Sequence, residues 1–226
     1  MADAPASAPA PAHAPSKPAL VEAMGGKRGL VDSGLPAIVF VLVNSVVQAF
    51  GARDTALNAA IASSVVCGLA IIVLRLARKE TLQQAISGFF GLAVAVFFAR
   101  RSGEARDFFL PGIFINIAYG VAFLVSALVS RPVVGYVYAA VDGLDAQWRA
   151  DSRLRRTFAV ASVGWALVFA SRAVVQAVLY VMDRPGLLAA SKLLMGWPLT
   201  IAAVALTVSY VRRRRVVTEQ EPAAAA

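Results

Sequence analysis

The sequence predicts an all-α protein, a polytopic bundle of six transmembrane helices with both termini on the cytoplasmic side. Three observations support this fold class. Hydrophobic residues make up 59% of the 226 residues and charged residues only 15%. Soluble domains have about 45–50% apolar residues and about 25% charged residues. The hydrophobic residues form long blocks. Basic residues cluster at alternate ends of these blocks, which is the pattern that sets orientation in a membrane.

Six apolar blocks are candidates for membrane spans. A helix rises about 1.5 Å per residue, so a hydrocarbon core of about 30 Å takes roughly 20 residues. The third block has only 15 residues and reaches about 22 Å. It is a short span, a span extended through Leu82, or a re-entrant segment. The blocks are Leu35–Ala52, Thr55–Leu74, Ala85–Ala99, Phe108–Val129, Thr157–Met182 and Leu187–Val211.

The distribution of Lys and Arg decides between these alternatives. Cytoplasmic segments of membrane proteins are enriched in basic residues. With six spans and an internal N-terminus, fifteen Lys and Arg residues lie inside and five lie outside. If the third block did not cross, the split would be ten and ten. We therefore predict a six-span membrane domain at residues 23–215, between an Ala/Pro-rich disordered tail at 1–22 and a second disordered tail at 216–226.

The segment between the fourth and fifth spans, residues 130–156, is predicted to contain an amphipathic helix on the inner leaflet. Its apolar positions follow helical spacing, and acidic residues take the other side. These apolar positions are Val134, Val137, Tyr138, Val141, Leu144 and Trp148. An inner-leaflet basic patch follows, formed by Arg149, Arg153, Arg155 and Arg156. The patch is either a topology determinant that also touches lipid phosphates or a docking platform for a cytoplasmic partner.

Arg172 lies near the middle of the fifth block, about 15 Å from its outer end. A charge at that depth costs at least about 2.5–3.5 kcal/mol, and no block contains Asp or Glu. We predict that Arg172 faces polar groups inside the bundle. The candidate partners are Asn44, Gln48, Asn116, Tyr119 and Gln176. These side chains form either a structural polar network or a site for an anion, such as a lipid phosphate or a carboxylate. Lys192, nearer a span end, is expected to reach the interface with its long side chain.

Small residues recur every four positions in three blocks, which places them on one helical face. They are Ala56, Ala60, Ser64 and Gly68 in the second block, Gly91, Ala95 and Ala99 in the third, and Ser162, Ala166 and Ala170 in the fifth. We predict that these faces pack against neighbouring helices, with self-association as the alternative. Four aromatic residues near block ends are predicted to anchor the protein at membrane interfaces: Trp148, Tyr180, Trp197 and Tyr210.

The residue inventory argues against catalysis and metal chemistry. The one histidine, His13, lies in the Ala/Pro-rich tail, and the one cysteine, Cys67, lies inside an apolar block. No phosphate-binding glycine loop, paired metal ligands or nucleophile–base pair is recognisable. We therefore expect no enzymatic activity, no catalytic residues and no cofactor or metal. The expected partners are anionic membrane lipids and a cytoplasmic or membrane protein rather than nucleic acid, because the basic residues flank apolar blocks.

Several phrases of the sequence together resemble a known family. They are Met24-Gly25-Gly26, Gly29-Leu30, Leu35-Pro36, Phe40 and Asn44; Ala85-Ile86-Ser87-Gly88-Phe89-Phe90-Gly91; Gly103-Glu104-Ala105 with Phe108-Phe109-Leu110; Trp148-Arg149 with Asp151; Trp165, Phe169, Arg172, Gln176 and Tyr180; and Met195-Gly196-Trp197-Pro198-Leu199. The chain resembles an uncharacterised actinobacterial multi-pass membrane family, a domain of unknown function designated three-one-five-nine, from about Leu20 to the last span. That family implies no biochemical function.

The layout is also similar to that of the intracellular septation protein A family of inner-membrane proteins, which is linked to envelope synthesis and division. The shared features are Leu35-Pro36 with Phe40, and Arg131-Pro132 after the fourth span. The expectation is a non-enzymatic protein of the cell membrane that supports envelope or division processes through lipid or protein partners. The alternative is a small transporter or channel for an anionic solute or lipid, with Arg172, Asn44, Gln48 and Asn116 lining the path.

Overall fold

A computed structural model describes residues 26–51, 53–79, 82–142, 144 and 146–220. This part of the chain is all-helical and has no strand, which confirms the all-α fold class. The α-helices are α1 (Gly26–Phe50), α2 (Arg53–Ala77), α3 (Leu82–Ser102), α4 (Leu110–Leu128), α5 (Val133–Asp142), α6 (Ser152–Val181), α7 (Pro185–Leu194) and α8 (Trp197–Gln220). Two short 3₁₀ helices, Ala105–Phe109 and Ala146–Arg149, precede α4 and α6. The predicted tail at 1–22 lies outside the described residues, and α8 extends to Gln220, into the segment predicted as the second tail.

Four segments of the described chain are long and apolar enough to cross a membrane: Arg53–Ala77, Ala105–Leu128, Ser152–Val181 and Pro185–Arg214. They correspond to the second, fourth, fifth and sixth predicted blocks. The first and third blocks also form helices, α1 and α3. Within α1, the apolar segment Gly34–Phe50 is shorter than the roughly 20 residues of a span. The helix α3 begins at Leu82 and has 21 residues, so it is longer than the apolar block alone.

Large apolar side chains cover the outside of the bundle. Phe50, Leu128, Val181, Leu194 and Leu206 are each more than 70% exposed. In water, an apolar surface of this extent would drive association, whereas in a bilayer it contacts lipid chains. Together with the four long apolar segments, this surface identifies the chain as a membrane protein.

The first interior cluster joins α1, α2, α3 and α7. Phe40, Ala60, Ala99 and Leu188 have no exposed surface at its centre. The ring of Phe108, in the first 3₁₀ helix, stacks on the ring of Phe40 with centroids 4.1 Å apart. The segment before α4 is therefore held against the first three helices.

The second interior cluster joins α5, α6 and α8 around Val134, Phe158 and Val211, with Trp148 packed among them. Trp148 is only 3% exposed, so our prediction that it anchors the protein at a membrane interface was wrong. The indole is buried because the chain after α5 folds back over the start of α6, placing the Trp148 ring 5.2 Å from that of Phe158.

Most of the small residues predicted to pack are buried between helices. In α2 all four are buried, and α2 packs closely on both α1 and α3. Ala95, Ala99, Ser162 and Ala166 are also buried, while Gly91 and Ala170 are exposed. The packing role is confirmed for these buried positions, because small side chains let helix backbones approach closely.

The sixth predicted block is interrupted. Its two parts, α7 and α8, are separated by a turn at Met195 and Gly196. Pro198 has no N–H to bond the carbonyl of Leu194, and its ring crowds that carbonyl, so the helix breaks there. A side chain at position 196 would collide with the carbonyl oxygen of Lys192. Glycine at this position therefore permits the tight turn.

The segment between α4 and α6 forms two short helices rather than one amphipathic helix. Its predicted apolar face is divided: Val134 is 6% exposed and packs in the second cluster, whereas Val137 is 57% exposed. Hydroxyl groups from both neighbouring helices accept hydrogen bonds from the start of α5. Ser126 accepts from the Val133 N–H at 3.2 Å, and Ser162 accepts from the Val134 N–H at 3.3 Å. The start of α5 is thereby fixed between α4 and α6.

Candidate functional site

Arg172 of α6 binds the interruption between α7 and α8. Its Nη2 group donates to the carbonyl oxygen of Gly196 and to Oγ1 of Thr200, both at 2.7 Å. The Thr200 hydroxyl also donates to the Gly196 carbonyl, at 2.6 Å. The guanidinium carbon lies 5.7 Å from the centre of the Phe169 ring. Among the described residues, Nε of Arg172 is buried and has no hydrogen-bond partner.

Gln176, one turn after Arg172, has a different partner. Nδ2 of Asn116, on α4, donates to Oε1 of Gln176 at 3.3 Å, and Gln176 is only 7% exposed. Arg172 therefore bonds to the interruption between α7 and α8, while Gln176 bonds to α4. The structure brings together Asn116 and Gln176 from the predicted set, but it does not join them to Arg172.

The other three predicted partners lie elsewhere. Asn44 is buried in α1, Gln48 is exposed on the same helix, and Tyr119 is half exposed with its ring 5.3 Å from that of Phe169. Within the part of the chain that the structure describes, no hydrogen bond connects any of them to Arg172. Sequence reasoning missed Gly196 and Thr200, since a backbone carbonyl freed by a helix break has no side-chain signature. The Gly196-Trp197-Pro198 sequence was the available signal.

We expect the Asn116–Gln176 bond to contribute a coupling energy of about 0.6 kcal/mol and no more than about 1.7 kcal/mol, the range of interhelical hydrogen bonds in membranes. A double-mutant cycle with Asn116→Ala and Gln176→Ala, followed by unfolding in mixed micelles, measures it. Asn116→Ala combined with Gln48→Ala is the matched cycle, and it should be additive. Equal coupling in both cycles would contradict a specific bond.

A second candidate site is a pocket of about 340 Å³ at the end of the bundle where α4 ends and α6 begins. Three arginines line it: Arg131 before α5, Arg149 in the second 3₁₀ helix and Arg155 near the start of α6. The remaining lining residues are Ser130, Tyr136 and Trp148. We refer to this site as the arginine pocket.

Two of these guanidinium groups contact uncharged groups, so their positive charge is not neutralised. The Arg149 guanidinium carbon lies 5.1 Å from the centre of the Tyr136 ring, a cation–π arrangement. Nη1 of Arg155 donates to the backbone carbonyl of Arg149 at 3.4 Å. Among the described residues, no ion pair joins Arg131, Arg149 or Arg155 to a carboxylate. Asp151, the nearest acidic residue in sequence, instead caps α6 by accepting from the Arg153 and Leu154 N–H groups.

The arginine pocket includes only part of the predicted basic patch. Arg149 and Arg155 line it, whereas Arg153 and Arg156 are exposed and do not. Arg131, which lies eighteen positions before Arg149 in the sequence, was not assigned to the patch. Only the return of the chain over α6 brings these two residues to one pocket.

At another position, ion pairs join the start of α2 to the connections that follow α3 and α6. Nη2 of Arg53 lies 3.5 Å from a carboxylate oxygen of Asp183, and Nη1 of Arg53 lies 3.9 Å from Glu104. Nε of Arg106 lies 4.0 Å from Asp183. We refer to Arg53, Glu104, Arg106 and Asp183 as the loop network. These three parts of the chain therefore lie together at one end of the bundle.

Tyr180, predicted as an interface anchor, contacts two charged residues beside this network. Its hydroxyl donates to the carboxylate of Asp107 at 2.5 Å, and the Arg106 guanidinium carbon lies 5.2 Å from its ring centre. Asp107 thus contacts Tyr180, and Glu104 contacts Arg53. In the residues that were searched, no group of three or more His, Cys, Asp or Glu side chains is arranged to hold a metal ion.

Residues 24–218 match a family described as "Protein of unknown function (DUF3159)". The chain belongs to the DUF3159 family. The matched region contains Arg172 with its partners, the arginine pocket and the loop network, so all three belong to the DUF3159 domain. Neither the curated proteins nor the solved structures contain a significant match to the chain.

Proposed function

We propose that this DUF3159 protein is a non-enzymatic, six-span protein of the plasma membrane that supports envelope or division processes by binding a lipid or protein partner at its cytoplasmic end. The observation that carries the proposal is the arginine pocket, which three arginines line and, among the described residues, no carboxylate lines. Such a site attracts an anionic partner. The role in envelope or division processes is proposed because the layout is similar to that of the septation protein A family, and a similarity of layout is an analogy.

The loop network supports six spans with both termini inside. If α1, α2, α3, α4, α6 and the α7–α8 pair each cross, the loops after α1, α3 and α6 all lie outside. Arg53, directly after the first of these loops, and Glu104, Arg106 and Asp183, in the other two connections, form the ion pairs of the loop network. The arginine pocket then lies on the inner side, in agreement with the positive-inside rule. The short helix α5 would lie at the inner interface.

Labelling of introduced cysteines tests whether α3 crosses the membrane. In a Cys67→Ala background, we expect a membrane-impermeant maleimide to label Ser102→Cys in intact cells. Arg78→Cys should react only after permeabilisation, because α3 separates the two positions and both are exposed. Labelling of both cysteines from the same side would show that α3 does not cross.

The cellular part of the proposal is tested in the native host. We expect gene deletion and the double variant Arg149→Gln/Arg155→Gln to cause the same change in cell length and envelope permeability. The matched control is Arg156→Gln/Arg212→Gln, which removes two exposed arginines outside the pocket and should behave as wild type. A deletion without a phenotype, or full complementation by the pocket variant, would overturn the proposal.

A second candidate function, transport of an anionic solute or lipid, is favoured by the interruption between α7 and α8. Discontinuous helices at mid-membrane commonly form substrate sites in transporters, and Arg172 binds this interruption with one Nε–H left over. Native mass spectrometry of wild type beside Arg172→Gln tests it. An anion retained by wild type and lost in the variant would favour transport. No bound anion in either sample would leave Arg172 as a structural link between helices.

A further inference from the structure

The arginine pocket has the chemistry of a site for one phosphate group. Its volume of about 340 Å³ is at the small end of ligand-binding pockets, which suits a phosphate with a short attached group. Three arginines line it, and a guanidinium group has a planar set of N–H donors that matches the oxygens of a phosphate in pairs. A lysine cluster would provide charge without this geometry.

The positive charges of the pocket belong to residues that line one small cavity. The Arg155 guanidinium donates to the backbone carbonyl of Arg149, which ties these two residues together. Neighbouring like charges repel each other, and an anion bound between them removes that repulsion. Neither the Tyr136 ring nor the Arg149 carbonyl carries a full negative charge. The described residues therefore leave the pocket with a net positive charge that a dianion neutralises best.

One wall of the pocket, formed by Trp148, is fixed by packing before any ligand binds. Trp148 is 3% exposed and makes edge contacts with the rings of Tyr136 at 5.4 Å and Phe158 at 5.2 Å. A Cβ atom at position 135 would lie 2.6 Å from Cη2 of Trp148, so glycine lets α5 approach the indole. Ser130 ends the turn after α4 in a left-handed conformation, with φ of 56°, which directs the chain back toward α6. A preorganised site loses less entropy on binding.

The pocket adjoins the apolar surface of the bundle. Leu128 and Val129, immediately before Ser130, are 73% and 58% exposed. This is the depth at which the apolar surface ends and basic residues begin, which is where lipid phosphates lie. A phosphate held by the pocket can therefore be joined to lipid chains that lie along α4.

We propose that the arginine pocket binds a phosphate group, with a dianionic monoester preferred over a diester, from a lipid headgroup or from free phosphate. This inference rests on the proposed function, since it names the partner of the same cytoplasmic end. Phosphatidic acid provides a monoester on a lipid, phosphatidylglycerol a diester, and phosphatidylcholine a zwitterion without net charge.

Fluorescence of Trp148 tests the proposal, because the chain has only three tryptophans and this one lines the pocket. The full-length Trp165→Phe/Trp197→Phe protein in neutral detergent is titrated with short-chain phosphatidic acid, phosphatidylglycerol, phosphatidylcholine or inorganic phosphate. We expect saturable binding, tightest for the monoesters. Arg149→Gln and Arg155→Gln should each weaken it at least tenfold, and Arg155→Lys should weaken it less. Arg156→Gln, an exposed arginine outside the pocket, should leave it unchanged.

A comparison of the titrated compounds identifies the source of the phosphate. Tight binding of phosphatidic acid alone indicates a lipid headgroup, and equal binding of inorganic phosphate indicates a soluble ligand. Absence of saturable binding by any phosphate compound, or equal loss in Arg156→Gln, would overturn the inference. Native mass spectrometry of the unsubstituted protein with the same compounds gives the result without tryptophan replacements. If phosphate binding fails while the pocket variant still has a cellular phenotype, the proposed function stands with a protein partner.

Discussion

We expect Arg172→Ala to lower the free energy of unfolding in mixed micelles by about 2–3 kcal/mol, while Lys192→Ala changes it by less than about 1 kcal/mol. Arg172 donates two hydrogen bonds of 2.7 Å across the interruption of the last block. Interhelical hydrogen bonds in membranes reach about 1.7 kcal/mol each, and a charged donor belongs at the strong end of that range. The loss also frees α7 and α8 to move relative to α6.

The comparison with Lys192 is informative because both residues are basic and lie in apolar segments. The amino group of Lys192 lies 5.9 Å from the centre of the Phe109 ring, a contact of about 0.5–1 kcal/mol. Arg172→Met adds a control of similar length without donors, and it should be as destabilised as Arg172→Ala. Equal and mild effects at both positions, or a Met variant as stable as wild type, would contradict a structural role for the guanidinium bonds.

The second large effect is expected at Gly135, where Ala should destabilise the protein by up to about 3 kcal/mol, the upper end of the cost of overpacking. The added Cβ atom would lie 2.6 Å and 2.8 Å from two atoms of the Trp148 indole and 3.1 Å from the Phe158 ring. Both rings are buried, and hydroxyl groups of α4 and α6 fix the start of α5, so little can move aside.

Gly164→Ala is the matched control. A Cβ atom there meets no atom within 4 Å, and alanine inside a helix is favoured over glycine by up to about 1 kcal/mol. We therefore expect this variant to be as stable as wild type or more so. Thermal unfolding in detergent measures both variants. A Gly135→Ala protein as stable as Gly164→Ala would show that the packing around Trp148 is loose, and the preorganisation argued for the arginine pocket would fail with it.

The positions of the helices were readable from the sequence because apolar length is a local property. All six blocks form helices, and the third extends to Leu82, one of the alternatives considered. The break in the sixth block was missed because hydropathy averages over a window, in which Gly196 and Pro198 count little. The rule that proline interrupts a helix interior, applied to the Gly196-Trp197-Pro198 sequence, predicts it.

The candidate sites were less predictable because their partners are distant in sequence. The polar residues around Arg172 were chosen by their position within the spans and, for two pairs, by a shared helical face, and neither determines which helix a side chain contacts. Gln176 shares a helical face with Arg172, yet it bonds to Asn116, while Arg172 bonds to Gly196 and Thr200. The arginine pocket depends on a chain reversal that no local pattern encodes.

The loop network has a consequence for the biogenesis of the protein. Its ion pairs are exposed and long, so each contributes little to stability, but Arg53 and Asp183 are 130 residues apart in the chain. The pairs form only when the start of α2 and the connections after α3 and α6 have come together. A chain in which these parts have not yet met leaves the charges unpaired. The network is therefore a mark of completed assembly, because it forms only after all three parts are in place.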